Sequence, residues 1–148
     1  MFVARSKKKI KSPANPVEMA QKLVYETKKA QGKELSMYDC LFNYKHALFV
    51  MQFYRHRIPH SSSIDEALIQ TYITKTMLEM GMIRGAIRHC EDAVRIYNRE
   101  LTPDNDLTKA AVHLLEQVKF NGMVGEMVGK LTSDEDCLVL GPIQRLFE

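Results

Sequence analysis

MLEMGMIRGAIRHCEDA, residues 77–93, is the stretch that decides the reading of this chain. Gly81 stands between two runs of helix-forming residues, where a tight turn needs the positive φ that glycine adopts without penalty. Beyond it, Ile83, Ala86, Ile87, Cys90 and Ala93, continued by Val94 and Tyr97, recur at the i, i+3, i+4 spacing of one helix face. Arg84, Arg88, Arg95 and Arg99 fall away from that face, mixed with Glu91, Asp92 and Glu100. The spacing predicts a helix over residues 82–99, and the small Ala86 and Ala93 allow a neighbour to approach within the usual ~8–10 Å between axes. A helix–turn–helix hairpin is the unit so defined.

The same pattern extends in both directions. Upstream, Ser63 with Glu66 three places on has the form of a capping box and opens a helix running to about residue 80. Its apolar residues are Ile64, Ala67, Leu68, Tyr72 and Leu78. Ser36 opens another over residues 37–57, which Pro59 stops. There Leu41, Phe42, Leu48, Phe49, Val50, Met51, Phe53 and Tyr54 surround much of the circumference. A helix apolar on nearly all sides is expected to be buried, so this one is assigned to the centre of the core. Before it, Asn15 and Pro16 start a helix over residues 17–31 with a narrow face of Val17, Ala20, Leu23, Val24 and Thr27, ended by Gly32. Downstream, Leu107, Ala111, Leu114, Leu115 and Val118 predict a helix over residues 107–121. Gly122 reads as a turn, and Met123, Val124, Met127, Val128 and Leu131 predict a sixth helix over 123–131. No segment alternates with period two for long enough to make a strand.

The expected fold is therefore all-α: a short α-solenoid of about three helical hairpins spanning residues 16–131. A basic N-terminal arm (1–15) precedes it, and an irregular C-terminal tail (132–148) follows. Gly81 and Gly122 are 41 residues apart, and Ala47 and Ala86 are 39 apart in corresponding helices. Periods of this size with helix–turn–helix units mark stacked hairpins, each with an apolar face that it cannot bury alone. With its turn Gly81, its small Ala86 five places later and Ala93 seven beyond, the stretch 77–93 resembles the centre of a tetratricopeptide repeat. The same stretch is similar to a pentatricopeptide repeat. Ile58-Pro59 ahead of Ala67-Leu68-Ile69, and Leu101-Thr102-Pro103-Asp104 ahead of Leu114-Leu115, carry that second likeness. The resemblance covers about residues 40–131. Pro103 falls ten residues after Ala93, later than either pattern places it, and Phe42 and Met127 stand where the flanking units would have the turn Gly and small Ala. The resemblance thus implies an architecture and not a base-reading code.

Charge is distributed unevenly. Residues 1–33 hold nine Lys or Arg against two acids, a net +7, whereas the remainder holds twelve against sixteen, a net −4. A basic end on a slightly acidic body suits an anionic partner. Arg5, Lys7, Lys8, Lys9 and Lys11, with Lys28, Lys29 and Lys33 one helix later, are the candidate RNA-phosphate contacts, since lysine and arginine give affinity to phosphates without sequence choice. Arg55 and Arg57, beside Phe53 and Tyr54, form a secondary patch. The opening residues are basic and acid-poor, as mitochondrial targeting segments are. Lys8-Lys9-Ile10-Lys11 equally fits a nuclear signal, and a plain solvated charge run is the third reading. A mitochondrial location is expected first, with nuclear or cytoplasmic as alternatives.

Catalytic motifs are missing. There is no glycine-rich phosphate loop, no HExxH and no nucleophile elbow. Asp104-Asn105-Asp106 lacks the later Gly and Glu of a calcium loop. His56 and His60 around Pro59 read as a polar hinge rather than a metal pair. His89 and Cys90 are adjacent and so do not face each other on a helix. Cys40, Cys90 and Cys137 are widely spaced, without metal or disulfide patterning. No enzymatic activity, cofactor, metal or small-molecule substrate is expected. No apolar run reaches the ~20 residues that cross a bilayer, so no membrane insertion is expected. The apolar tail residues Leu138, Val139, Leu140, Ile143, Leu146 and Phe147 are candidate protein contacts. The functional expectation is a non-enzymatic structural subunit of a large ribonucleoprotein assembly, most concretely the mitochondrial ribosome. The alternative is a protein–protein adaptor, or an accessory subunit of another mitochondrial complex, without RNA contact.

Overall fold

The computed structural model describes residues 15–55 and 63–132, with side chains as far as residue 127. They form five helices and no strand: α1 (Pro16–Ala30), α2 (Met37–Tyr54), α3 (Ser63–Glu79), α4 (Ile83–Glu100) and α5 (Asp106–Thr132). The all-α fold read from the sequence is what the chain adopts. Each helix packs on the next along the chain, α1 on α2, α2 on α3, α3 on α4 and α4 on α5.

Local chemistry fixes the ends. The Asn15 side chain accepts from the Val17 N–H at 2.8 Å, and Pro16 occupies the first turn, where a missing N–H costs nothing. Ser36 accepts from the Asp39 N–H at 3.1 Å. Asn105 accepts from the Leu107 N–H at 2.9 Å and starts α5. Gly32 and Gly81 hold φ of 79° and 81° and close the α1–α2 and α3–α4 turns. At the second of these turns the Met82 N–H donates to the Met77 carbonyl at 2.8 Å, so a carbonyl left open at the end of α3 is satisfied.

Gly122 is not a turn. α5 runs through it unbroken for 27 residues, so the two helices expected over 107–131 are one, and the hairpins number two with a single helix after them. An asparagine followed by glycine reads locally as a turn, but here packing decides. A Cβ at Gly122 would lie 3.1 Å from Ile83 Cγ2, so glycine serves the close approach of α5 to α4. Gly85 does the same between α4 and α3, where a Cβ would meet the Met77 sulfur at 2.9 Å.

α2 supplies six residues to the main cluster of the core, and α3 shares the centre with it. Ala67, Ile69, Ile73 and Met77 are buried on α3, together with Glu66, Gln70, Thr74 and Thr76. Its polar content hid this in the sequence. The threonines resolve the conflict by donating back to their own helix, Thr74 to the Gln70 carbonyl at 2.8 Å and Thr76 to the Tyr72 carbonyl at 2.9 Å. α2 buries Cys40, Leu41, Tyr44, Ala47, Leu48 and Met51 on one side only and exposes Phe42, Phe49 and Phe53, which the sequence had placed in the core. The face read for α1 holds, with Val17, Ala20, Val24 and Thr27 buried. On α4, Ile83, Ala86, Cys90, Ala93 and Tyr97 are buried as expected and Ile96 joins them, while Arg84, Arg88, Arg95 and Arg99 face outward. Ala47 and Ala86, the second-helix alanines of the two hairpins, are both fully buried.

Candidate functional site

α1 lies along α2 and also meets α3. Gln21 donates to the Asp65 carboxylate at 2.9 Å. About two turns on, the Lys28 ammonium sits 5.0 Å from the centroid of the Tyr72 ring. These two bridges flank a groove of about 290 Å³ whose floor is Val24, Met51, Leu68 and Ile69 and whose rim carries Tyr25, Lys28 and Asp65. Met51 reaches the floor because it lies on the inward side of α2.

The basic end of α1 borders this groove. Lys28, Lys29 and Lys33 are all exposed, and Tyr25, one turn before Lys29, is 64 % exposed. The Lys29 ammonium lies 5.4 Å from the Tyr25 ring centroid. A cation over a ring face is oriented without being neutralised, so both ammonium groups keep their charge toward solvent while the rings fix their positions. Of the acids on α1, Glu18 lies in its first turn and Glu26 stands beside Tyr25, two residues before Lys28. The helix is roughly 22 Å long at ~1.5 Å per residue, so the basic arm enters at one end and the lysine cluster stands at the other.

Arg55 plays a different part. Its Nη1 is 3.4 Å from Oε1 of Glu66, a carboxylate only 1 % exposed, so its charge balances a buried acid inside the fold. Glu66 therefore turns into the core, a role its place three residues after Ser63 did not reveal. Arg5, Lys7, Lys8, Lys9, Lys11, Arg57 and the tail residues Leu138, Val139, Leu140, Ile143, Leu146 and Phe147 lie outside the described residues.

The thiols of Cys40 and Cys90 and the imidazole of His89 are shifted toward their neutral forms. Burial pushes the Cys90 thiol up to about 11, although Thr74 hydrogen-bonds to it and pulls the other way. Its sulfur donates to the Ala111 carbonyl at 3.5 Å, tying α4 to α5. A thiol held this high is not a nucleophile near neutral pH. Cys40 is likewise raised by burial, with Asp39 adding to it. His89 is lowered, first by burial and then by the charge of Lys45, and its Nδ1 has no hydrogen-bond partner. Among the described residues no three His, Cys, Asp or Glu side chains converge as a metal site, and no helix is long and apolar enough to cross a membrane.

Sequence reasoning did not single out Tyr25, nor the outward line of Tyr38, Phe42, Phe49 and Phe53 on α2. Spacings of four and seven residues carried the second signal. Aromatic content alone pointed to burial, and only the position of the buried face of α2 shows which rings are left outside. Comparisons with known protein families, with curated proteins and with solved structures find no match for this chain.

Proposed function

We propose that this chain is a non-enzymatic structural subunit of a ribonucleoprotein assembly, with the mitochondrial ribosome as the concrete candidate, holding RNA along α1. The observation that carries this reading is the cluster of Tyr25, Lys28, Lys29 and Lys33 at one end of a helix whose other end receives the lysine-rich arm. Lysines neutralise phosphates, and an exposed tyrosine offers a face on which an unpaired base stacks. The +7 excess of residues 1–33 is thus continued onto a folded surface. A strand lying along α1 would meet the exposed Lys22, Tyr25 and Lys29, which fall on one side of the helix.

A second reading draws on the groove between α1 and α3. Its apolar floor of Val24, Met51, Leu68 and Ile69 and its mixed rim also suit a protein segment, as in an adaptor without RNA contact. Co-sedimentation from a mitochondrial lysate, with and without ribonuclease, separates the two. The RNA reading expects the chain in a large particle that ribonuclease dissolves. An association that survives ribonuclease intact belongs to the protein adaptor.

A further inference from the structure

The face of α2 opposite Met51 carries Tyr38, Phe42, Phe49 and Phe53, exposed by 76, 70, 65 and 50 %. At 100° per residue these four positions fall within an arc of about 60° and extend along about 22 Å of helix. Phe42 stacks on His46 with ring centroids 6.4 Å apart, and Phe49 stacks on Phe53 at 6.2 Å, so the ridge holds two stacked pairs. With aromatic side chains burying ~150–250 Å² each, the exposed parts sum to roughly 500 Å² per chain. That is at the upper end of what the surface of a monomer carries.

We infer that this ridge is the interface of a two-fold homodimer in which α2 packs antiparallel on α2 of a second copy. The spacing is palindromic. Tyr38 and Phe53, and likewise Phe42 and Phe49, are equidistant from the point between Lys45 and His46. A two-fold axis at that point lays Tyr38 against Phe53 of the second copy and Phe42 against its Phe49, each ring meeting a ring in both directions. An isologous contact requires this self-complementarity. Charge tolerates it. Asp39 comes level with the neutral Gln52 of the other copy, and Lys45, next to the axis, comes beside the second copy's Lys45 at the exposed edge of the ridge, where solvent screens the pair. Area agrees as well. Two ridges together remove roughly 1,000 Å², about the threshold of a specific interface, before the flanking Met37, Lys45 and Gln52 are counted. The contact is independent of the RNA reading, which rests on α1 and the arm.

Sedimentation equilibrium of the full chain tests the inference. The expected result is a concentration-dependent rise from 17.0 kDa toward twice that mass, abolished by Phe42→Glu with Phe49→Glu while the helical circular dichroism is retained. Register is tested by oxidative cross-linking in a Cys137→Ser background. Lys45→Cys, beside the axis, links to itself in high yield, whereas Tyr38→Cys, about 22 Å from its own copy in this arrangement, does not. A chain that stays at 17.0 kDa across the whole loading range, a dimer that survives the double glutamate variant, or equal cross-linking at 38 and 45 would each overturn it.

Discussion

Arg55 at the end of α2 and Glu66 in the first turns of α3 face each other across the α2–α3 junction, with Nη1 and Oε1 3.4 Å apart. The carboxylate is 1 % exposed and the arginine side chain 36 %, so one partner is inside and the other reaches in from the surface. Sequence neighbours gave no hint of the pair, because eleven residues separate its members.

Removing the arginine leaves a buried carboxylate with less to balance it. Breaking a fully buried pair costs ~3–5 kcal/mol, and the partial exposure of Arg55 moderates this, so Arg55→Ala is expected to cost about 2–3 kcal/mol. Urea denaturation measures it. A loss below about 0.5 kcal/mol, the level of an ordinary surface substitution, would show that the pair contributes nothing.

The two glycines of the reading are physically different. Gly81 sits at φ 81°, where a Cβ is strained at any spacing, so Gly81→Ala is expected to cost about 1–2 kcal/mol. Gly122 lies inside α5. There alanine gains about 1 kcal/mol of helix propensity and loses a similar amount pressing on Ile83 Cγ2 at 3.1 Å. Its net effect is expected within about 1 kcal/mol of zero. Equal and large losses at both positions would return Gly122 to a turn.

Ala86 is fully buried where α4 meets its neighbours. Ala86→Leu inserts three carbons into a packed core and is expected to lower stability by about 1–3 kcal/mol. An unchanged denaturation midpoint would mean that the alanine does not mark a close approach.

Stability is expected to fall at both extremes of pH. The folded state holds His89 below its ordinary 6.5, so the unfolded chain takes up the proton first, and stability present above pH 6.5 is lost as pH falls below it. Cys90 is raised from 9.0 to about 11, so the unfolded chain loses its proton first, and stability declines between about pH 9 and 11. His89→Gln should flatten the acid limb and Cys90→Ala the alkaline one, as read by thermal melts across pH. Limbs that keep their slope in these variants would assign the effect to other groups.

How much of this was legible in the sequence follows from which forces were local. Caps at Asn15 and Ser36, turns at Gly32 and Gly81, and the stripe of α4 depend on a few neighbouring residues, and their positions hold. Within the core, hydrophobicity alone does not give burial. α3 buries threonines that satisfy themselves on their own backbone, while α2 leaves phenylalanines outside. Gly122 was misread because a close approach and a turn ask for the same residue, and only the neighbouring helix distinguishes them. Of the candidate site, the lysines of α1 were readable as charge. The rings that orient two of them come from i+4 packing at Tyr25 and from a separate helix at Tyr72.

If α1 and the arm hold RNA by its phosphates, as proposed, binding must depend on salt. Affinity for a single-stranded RNA is measured against salt concentration for the unmodified chain, for Lys7, Lys8, Lys9 and Lys11 all changed to Ala, and for Tyr25→Ala. Each phosphate neutralised on a single strand contributes roughly 0.7 to the slope of log affinity against log salt. The quadruple change is therefore predicted to lower the slope by about three units and to weaken binding on every sequence alike. Tyr25→Ala is predicted to weaken binding by roughly 1–3 kcal/mol with the slope unchanged, as loss of a stacking ring does. An unmodified chain that binds RNA with no salt dependence, or a quadruple variant whose slope equals that of the unmodified chain, would contradict the claim and leave the groove between α1 and α3 as the functional surface.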